Sequence, residues 1–180
     1  LFLIWISGRV AILTSALTGL WFAAIVDLAF LAAMIVVIAR ELIAGRNVKN
    51  ARVLLLVGVL FVGNAIFQLE AALGFGEGYG TRTGIAAAVL LIMLIGGRII
   101  PSFTRNWLAK CVPGRLPISF GGFDVFAIVA GAIALASWIA MPDSTGTAGL
   151  LAIAGAVHTI RVARWAGERM APELLLLVLH

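Results

Sequence analysis

The chain has 180 residues, of which 63% are hydrophobic and only 12% charged, with a mean hydropathy of +1.14. Soluble globular domains sit near half apolar and a quarter charged, so water is not the main solvent of this chain. Its net charge of +5 would suit nucleic acid, but the basic residues fall between apolar runs, where topology determinants belong; nucleic acid is not expected as a partner.

A hydrocarbon core about 30 Å thick needs about 20 mostly apolar residues per spanning helix. In chain order the spans are expected at about Ala16 to Ala39, Val53 to Leu73, Gly84 to Phe103, Ser119 to Met141, and Gly146 to Ile160 with some extension. Leu1 to Ile6 and Leu174 to His180 read as parts of two more. None of these runs alternates with the period of two that a membrane barrel requires, and their glycines suit close helix packing in lipid. The expected fold is all-α: a polytopic transmembrane helix bundle, one domain over residues 1–180, with about five complete spans and partial spans at both ends. Because the sequence opens without Met in an apolar run and stops in another, it is expected to be a fragment of a longer polypeptide. The lone Cys111 offers no internal disulfide and no thiolate cluster.

The loops separate by charge. Arg40, Arg46, Lys49 and Arg52, then Arg98, Arg105, Lys110 and Arg115, then Arg161, Arg164 and Arg169 fall on one side, eleven in all, against Arg9 and Arg82 on the other. One missed span would scramble that split, so the positive-inside rule places loops 40–52, 105–118 and 161–171 in the cytoplasm of a multi-pass protein of a lipid bilayer.

Ionisable groups inside spans cost about 2.5 to 3.5 kcal/mol on insertion scales and tend to face the bundle interior. Here they are Asp27, Arg98, Asp124, His158 and, at the chain end, His180. Counting about 1.5 Å per residue from the basic side puts Arg98 and Asp124 at similar depth, which predicts a pair between them across neighbouring helices. Asp27 falls near mid-membrane with no depth-matched cation, leaving it protonated or paired to a helix outside this sequence. Asn64 and Gln68, one turn apart, suit either interhelical hydrogen bonds or a polar cavity. His158 and His180 fall in the cytoplasmic half of successive helices. Two imidazoles on facing helices are the smallest set that could ligate haem iron or copper, though an intramembrane His more often bonds between helices.

The segment Gly96-Gly97-Arg98-Ile99-Ile100-Pro101-Ser102-Phe103-Thr104-Arg105-Asn106 is the most unusual stretch. Pro101 removes a donor and disturbs the carbonyl four residues earlier, so a kink is expected there. A cation beside freed backbone could clamp an anion such as a propionate, or the arginines could simply anchor a helix end at the interface. There is no phosphate-binding Gly loop, no Cys cluster and no HExxH motif.

GGRIIPSFTRNWL, with WISGRVA near the start, GNAIFQLEA at 63 to 71 and VHTIRVARWAGERMAPELLLLVLH at the end, resembles the NnrS family. The resemblance implies a bacterial inner-membrane protein of about twelve helices containing haem and copper, linked to the response to nitric oxide and nitrosative stress, of which this sequence is roughly half. It makes His158 and His180 the expected metal ligands, adds Arg98 as a cofactor-binding residue, and marks Pro101, Arg105 and Asn106 as signature positions. Where Gln68 stands the family pattern often has His, so this member lacks a ligand there or the position is not one. Nitric oxide or a related small molecule is the implied partner. A different class remains open: a transporter or permease whose Asp27, Arg98 and Asp124 line a substrate path, with a purely structural membrane subunit as a third reading.

Overall fold

The structure is a computed structural model that describes residues 1–46, 50–74, 76–111 and 113–180. Lys49, counted above among the basic loop residues, lies outside the described residues. The described residues form helices and turns without strands: α1 Phe2–Leu13, α2 Ser15–Thr18, α3 Leu20–Ala44, α4 Ala51–Leu73, α5 Tyr79–Cys111, α6 Gly122–Ala140, α7 Thr145–Ala163 and α8 Leu174–Leu177. Among them α3, α4, α5, α6 and the stretch Thr145–Arg169 are long and apolar enough to cross a membrane. The chain is an integral membrane protein with an all-α architecture.

The chain divides into two compact units, Leu1–Ala88 and Val89–His180. In the first, α3 packs against α1 on one flank and α4 on another. Apart from Asp27, its buried positions are Gly8, Ala11, Ala23, Ala24, Val57, Gly63, Gly80, Ala86 and Ala87, while Phe22, Ile25, Leu55 and Phe67 are exposed. Small residues inside and large apolar residues outside invert the soluble pattern; in lipid, helices associate through close backbone approach rather than by hiding apolar surface. A Cβ on Gly63 would come within 2.8 Å of the Gly84 nitrogen, and one on Gly80 within 2.8 Å of the Phe67 Cβ. The α4 and α5 backbones therefore meet directly. Helix α4 stops at Gly74, whose φ of 74° is the left-handed conformation that glycine adopts at helix ends.

In the second unit, α6 and α7 form an antiparallel hairpin joined by a short turn. Ser144 caps α7, its hydroxyl accepting from the Gly146 N–H at 3.2 Å. Beyond α7 the chain reverses at Ala166, a buried non-glycine residue with φ of 57°, and turns through Gly167–Arg169. That reversal brings Met170 and Ala166 into a small core with Leu108 of α5.

One outline differs from the sequence reading. Helix α5 has 33 residues and runs unbroken through Pro101, extending well beyond the expected Gly84 to Phe103. The segment Leu174 to His180, read as part of a further span, contains the single turn α8.

Candidate cofactor site

Asp124 stands in the first turn of α6, where its Oδ2 accepts from the Gly121 N–H at 3.0 Å. A carboxylate there also meets the positive end of the helix dipole. Its other oxygen takes Arg161 Nε at 2.9 Å, both side chains being almost fully buried. Arg161 donates in addition to the Met93 carbonyl at 3.0 Å, and its guanidinium lies 5.6 Å from the Trp165 ring. The expected Arg98–Asp124 pair is therefore wrong. Arg161 was assigned to a loop, yet α7 continues to Ala163 and carries it into the bundle as a buried cation. Arg98 instead lies over the Phe120 ring at 5.0 Å.

A similar correction applies to Asp27. It has a cation in this chain: Arg9 of α1 pairs with Oδ1, while Asn64 Nδ2 and Gln68 Nε2 donate to Oδ2 at 2.9 and 3.1 Å. The charge pattern puts Arg9 in a loop on the less basic side, but it lies within helix α1, which packs along α3. The hydrogen-bonding and cavity readings of Asn64 coincide, because Asn64 and Asp27 also line a cavity of about 420 Å³.

The two histidines have different surroundings within the second unit. His158 Nε2 is buried without a hydrogen-bond partner. It lies 3.1 Å from where a Cβ on Gly131 would stand, and the Met93 sulfur lies the same 3.1 Å from that point. Imidazole and thioether thus flank one small space that only glycine leaves open. His180 shares a 2.8 Å hydrogen bond between Nε2 and the Thr104 hydroxyl, and its ring stands edge-on to Trp165 at 6.4 Å. Its other nitrogen, Nδ1, is buried and unpartnered, 2.6 Å from where a Cβ on Gly167 would be. Among the described residues no group of three or more His, Cys, Asp or Glu side chains is arranged to hold a metal ion.

The Gly-Gly-Arg stretch of α5 has a distinct role at nearly every position. A Cβ on Gly97 would stand 2.6 Å from Arg161 Cζ and overlap the guanidinium, so Gly97 makes room for the buried cation. Thr104, fully buried, holds His180. Arg105 donates to the Pro117 carbonyl at 3.3 Å. Arg98, Pro101, Ser102 and Arg105 line a cavity of about 180 Å³, closed on its far side by Pro117 to Phe120. Asn106 is exposed.

The family model described as NnrS protein matches residues 1–180. The chain belongs to the NnrS family. No curated protein and no solved structure matches it. For this NnrS member, the sequence singled out both histidines and the signature arginines by residue type, but not Met93, Gly131 and Gly167 beside the histidines, nor the buried pairing of Arg161. A methionine or glycine in an apolar helix carries no signal in one sequence. Gly97 next to Arg98 was visible, but its partner sixty-odd positions away was not.

Proposed function

We propose that this chain belongs to a haem- and copper-containing protein of the bacterial inner membrane that acts in the response to nitric oxide, with His158 and His180 as metal ligands. One observation carries the reading: each imidazole has a buried nitrogen without a hydrogen-bond partner, on a ring that packs closely against a glycine, Gly131 for His158 and Gly167 for His180. Buried polar groups are ordinarily hydrogen-bonded, so two such nitrogens call for an acceptor of their lone pairs. The basic stretches that follow the ends of α3, α5 and α7 face the cytoplasm in this arrangement.

The donors fit different groups. Imidazole with thioether favours a soft ion, so His158 and Met93 suit copper in its reduced state. His180 suits haem iron: Thr104 engages one ring nitrogen and orients the ring, leaving the other nitrogen as the ligand, as second-shell partners do for metal-bound histidines. Arg98 and Arg105, beside the 180 Å³ cavity, supply cationic donors for a propionate. When bound, haem or copper supplies the redox-active centre at which nitric oxide is held. The chain's own part is to keep both imidazoles desolvated and oriented, through Thr104, Trp165 and the Asp124–Arg161 pair that joins α6 to α7. The permease reading is weaker, because Asp124 is almost fully buried and committed to Arg161 rather than free to line a path.

A copper(I) titration of the purified full-length protein against a chromophoric chelator tests the copper assignment. The parent protein should withhold one more equivalent than H158A and M93L; equal stoichiometry in all three would contradict it.

A further inference from the structure

The Asp27 cavity lies wholly within the first unit and is not used by the histidines. Its walls divide sharply by chemistry. Arg9, Asp27 and Asn64, bonded to one another, form a polar end; Thr81 adds a hydroxyl to the lining, and the remainder is Trp5, Phe30, Leu31, Leu60, Phe67, Ile85 and three glycines. Its volume of about 420 Å³ falls in the range of about 300 to 1,000 Å³ usual for small-molecule pockets.

The polar end is electrically balanced. Asp27, 3% exposed, has one oxygen on Arg9 and the other on Asn64 and Gln68, so the carboxylate is fully engaged. Arg9 is half exposed and has further N–H donors beyond the pair, and the Asn64 and Thr81 side chains line the same cavity. A neutral site disfavours an ionic ligand, because a net charge brought in from water would be desolvated without compensation. Surplus donors call for an acceptor, such as a carbonyl oxygen. The lining residues Trp5, Phe67 and Ile85 are exposed and apolar, and α4 and α5 are long and apolar enough to cross a membrane, so entry is from lipid, and aromatic walls suit a flat ring.

The cavity is also built to stay open. Gly63 packs on Gly84 and Gly80 on Phe67 at backbone distance, which fixes α4 against the start of α5. Gly84 itself faces free space, with nothing within 4 Å of where its Cβ would be. Close contact on one side of the helix and vacancy on the other leave a slot rather than a collapsed seam.

We propose that this cavity binds the head group of a membrane quinone, its ring between the aromatic walls and a ring carbonyl accepting from Arg9, Asn64 or Thr81. The prenyl tail leaves through the apolar mouth into the bilayer. Binding alone is assigned to the site.

The test uses the full-length protein in phosphatidylcholine nanodiscs titrated with decylubiquinone, which quenches nearby tryptophan fluorescence. The parent should show a saturable quenching component, and W5F should lose it, because Trp5 lines the cavity. G84L, which fills the slot without a backbone clash, should weaken binding at least tenfold, and T81V, equal in size but without the hydroxyl, several-fold. Quenching that rises linearly with quinone, or a saturable component unchanged in T81V and in folded G84L, would overturn the proposal. So would loss of the Trp5 component to brominated phosphatidylcholine at the same occupancy, which would make a lipid chain the occupant.

Discussion

Arg161 Nε lies 2.9 Å from Asp124 Oδ1, with both side chains withdrawn from the surface. That contact joins the last turn of α7 to the first turn of α6, and through the Met93 carbonyl it ties both to α5. A buried pair of this kind contributes little over an apolar replacement of both partners, yet removing one partner strands a charge and costs about 3 to 5 kcal/mol.

Arg161→Leu and Asp124→Asn are each expected to destabilise the protein by about 3 to 5 kcal/mol, and the double variant to cost less than the sum of the singles. Arg98→Leu combined with Asp124→Asn should be additive, because Arg98 rests on Phe120 instead. Unfolding in mixed detergent micelles measures all of these. Coupling between Arg98 and Asp124 would contradict the observed pairing.

Adjacent glycines provide a sharper comparison. Gly97→Ala places a methyl against the Arg161 guanidinium, whereas the same change at Gly96 meets only the tip of Ile100 at 3.6 Å. Gly97→Ala should lower stability by about 1 to 3 kcal/mol, the usual cost of overpacking. Gly96→Ala should be neutral or slightly stabilising, since alanine is the better helix former. Thermal denaturation of the two variants side by side decides it.

The spans were legible because hydropathy and loop charge act over twenty residues at a time, and lipid permits few alternatives to a helix. Pairing of the buried charges was not. Depth counting depends on knowing where a helix ends, and misplacing the end of α7 by a few residues sent Arg161 to a loop and offered Asp124 to Arg98. The same difficulty hid the Arg9–Asp27 pair, because Arg9 sits in α1, shorter than a full span. His158 and His180 were visible as residue types unusual at depth. Their common feature, an unpartnered buried nitrogen on a ring packed against a glycine, depends on tertiary contacts with Gly131 and Gly167 and could not be read from spacing.

In the first unit, Gly80→Ala should separate α4 from the start of α5, because the added methyl meets the Phe67 backbone and Cβ. Gly84→Ala, one turn later, meets nothing within 4 Å. The expected result is a loss of about 1 to 3 kcal/mol for the first and a change within about 0.5 kcal/mol for the second. Equal effects at the two positions would argue against direct backbone contact.

Asn64→Leu and Gln68→Leu each remove one donor from the Asp27 carboxylate. Each should cost about 1 to 3 kcal/mol, because hydrogen bonds to a charged group exceed neutral ones and the carboxylate remains buried. Adding Asp27→Asn to either variant should recover part of the loss. No recovery, measured by the same unfolding assay, would mean that the amides act through packing.

The most direct measurement is the absorption spectrum of the full-length protein purified from membranes, recorded with and without nitric oxide for the parent, His180→Ala and His158→Ala. The parent should show a Soret band that shifts with nitric oxide; His180→Ala should lose most of that band, and His158→Ala should keep it while losing bound copper. A colourless parent at full expression, or a band and copper content unchanged in both variants, would contradict the assignment of His158 and His180 as ligands.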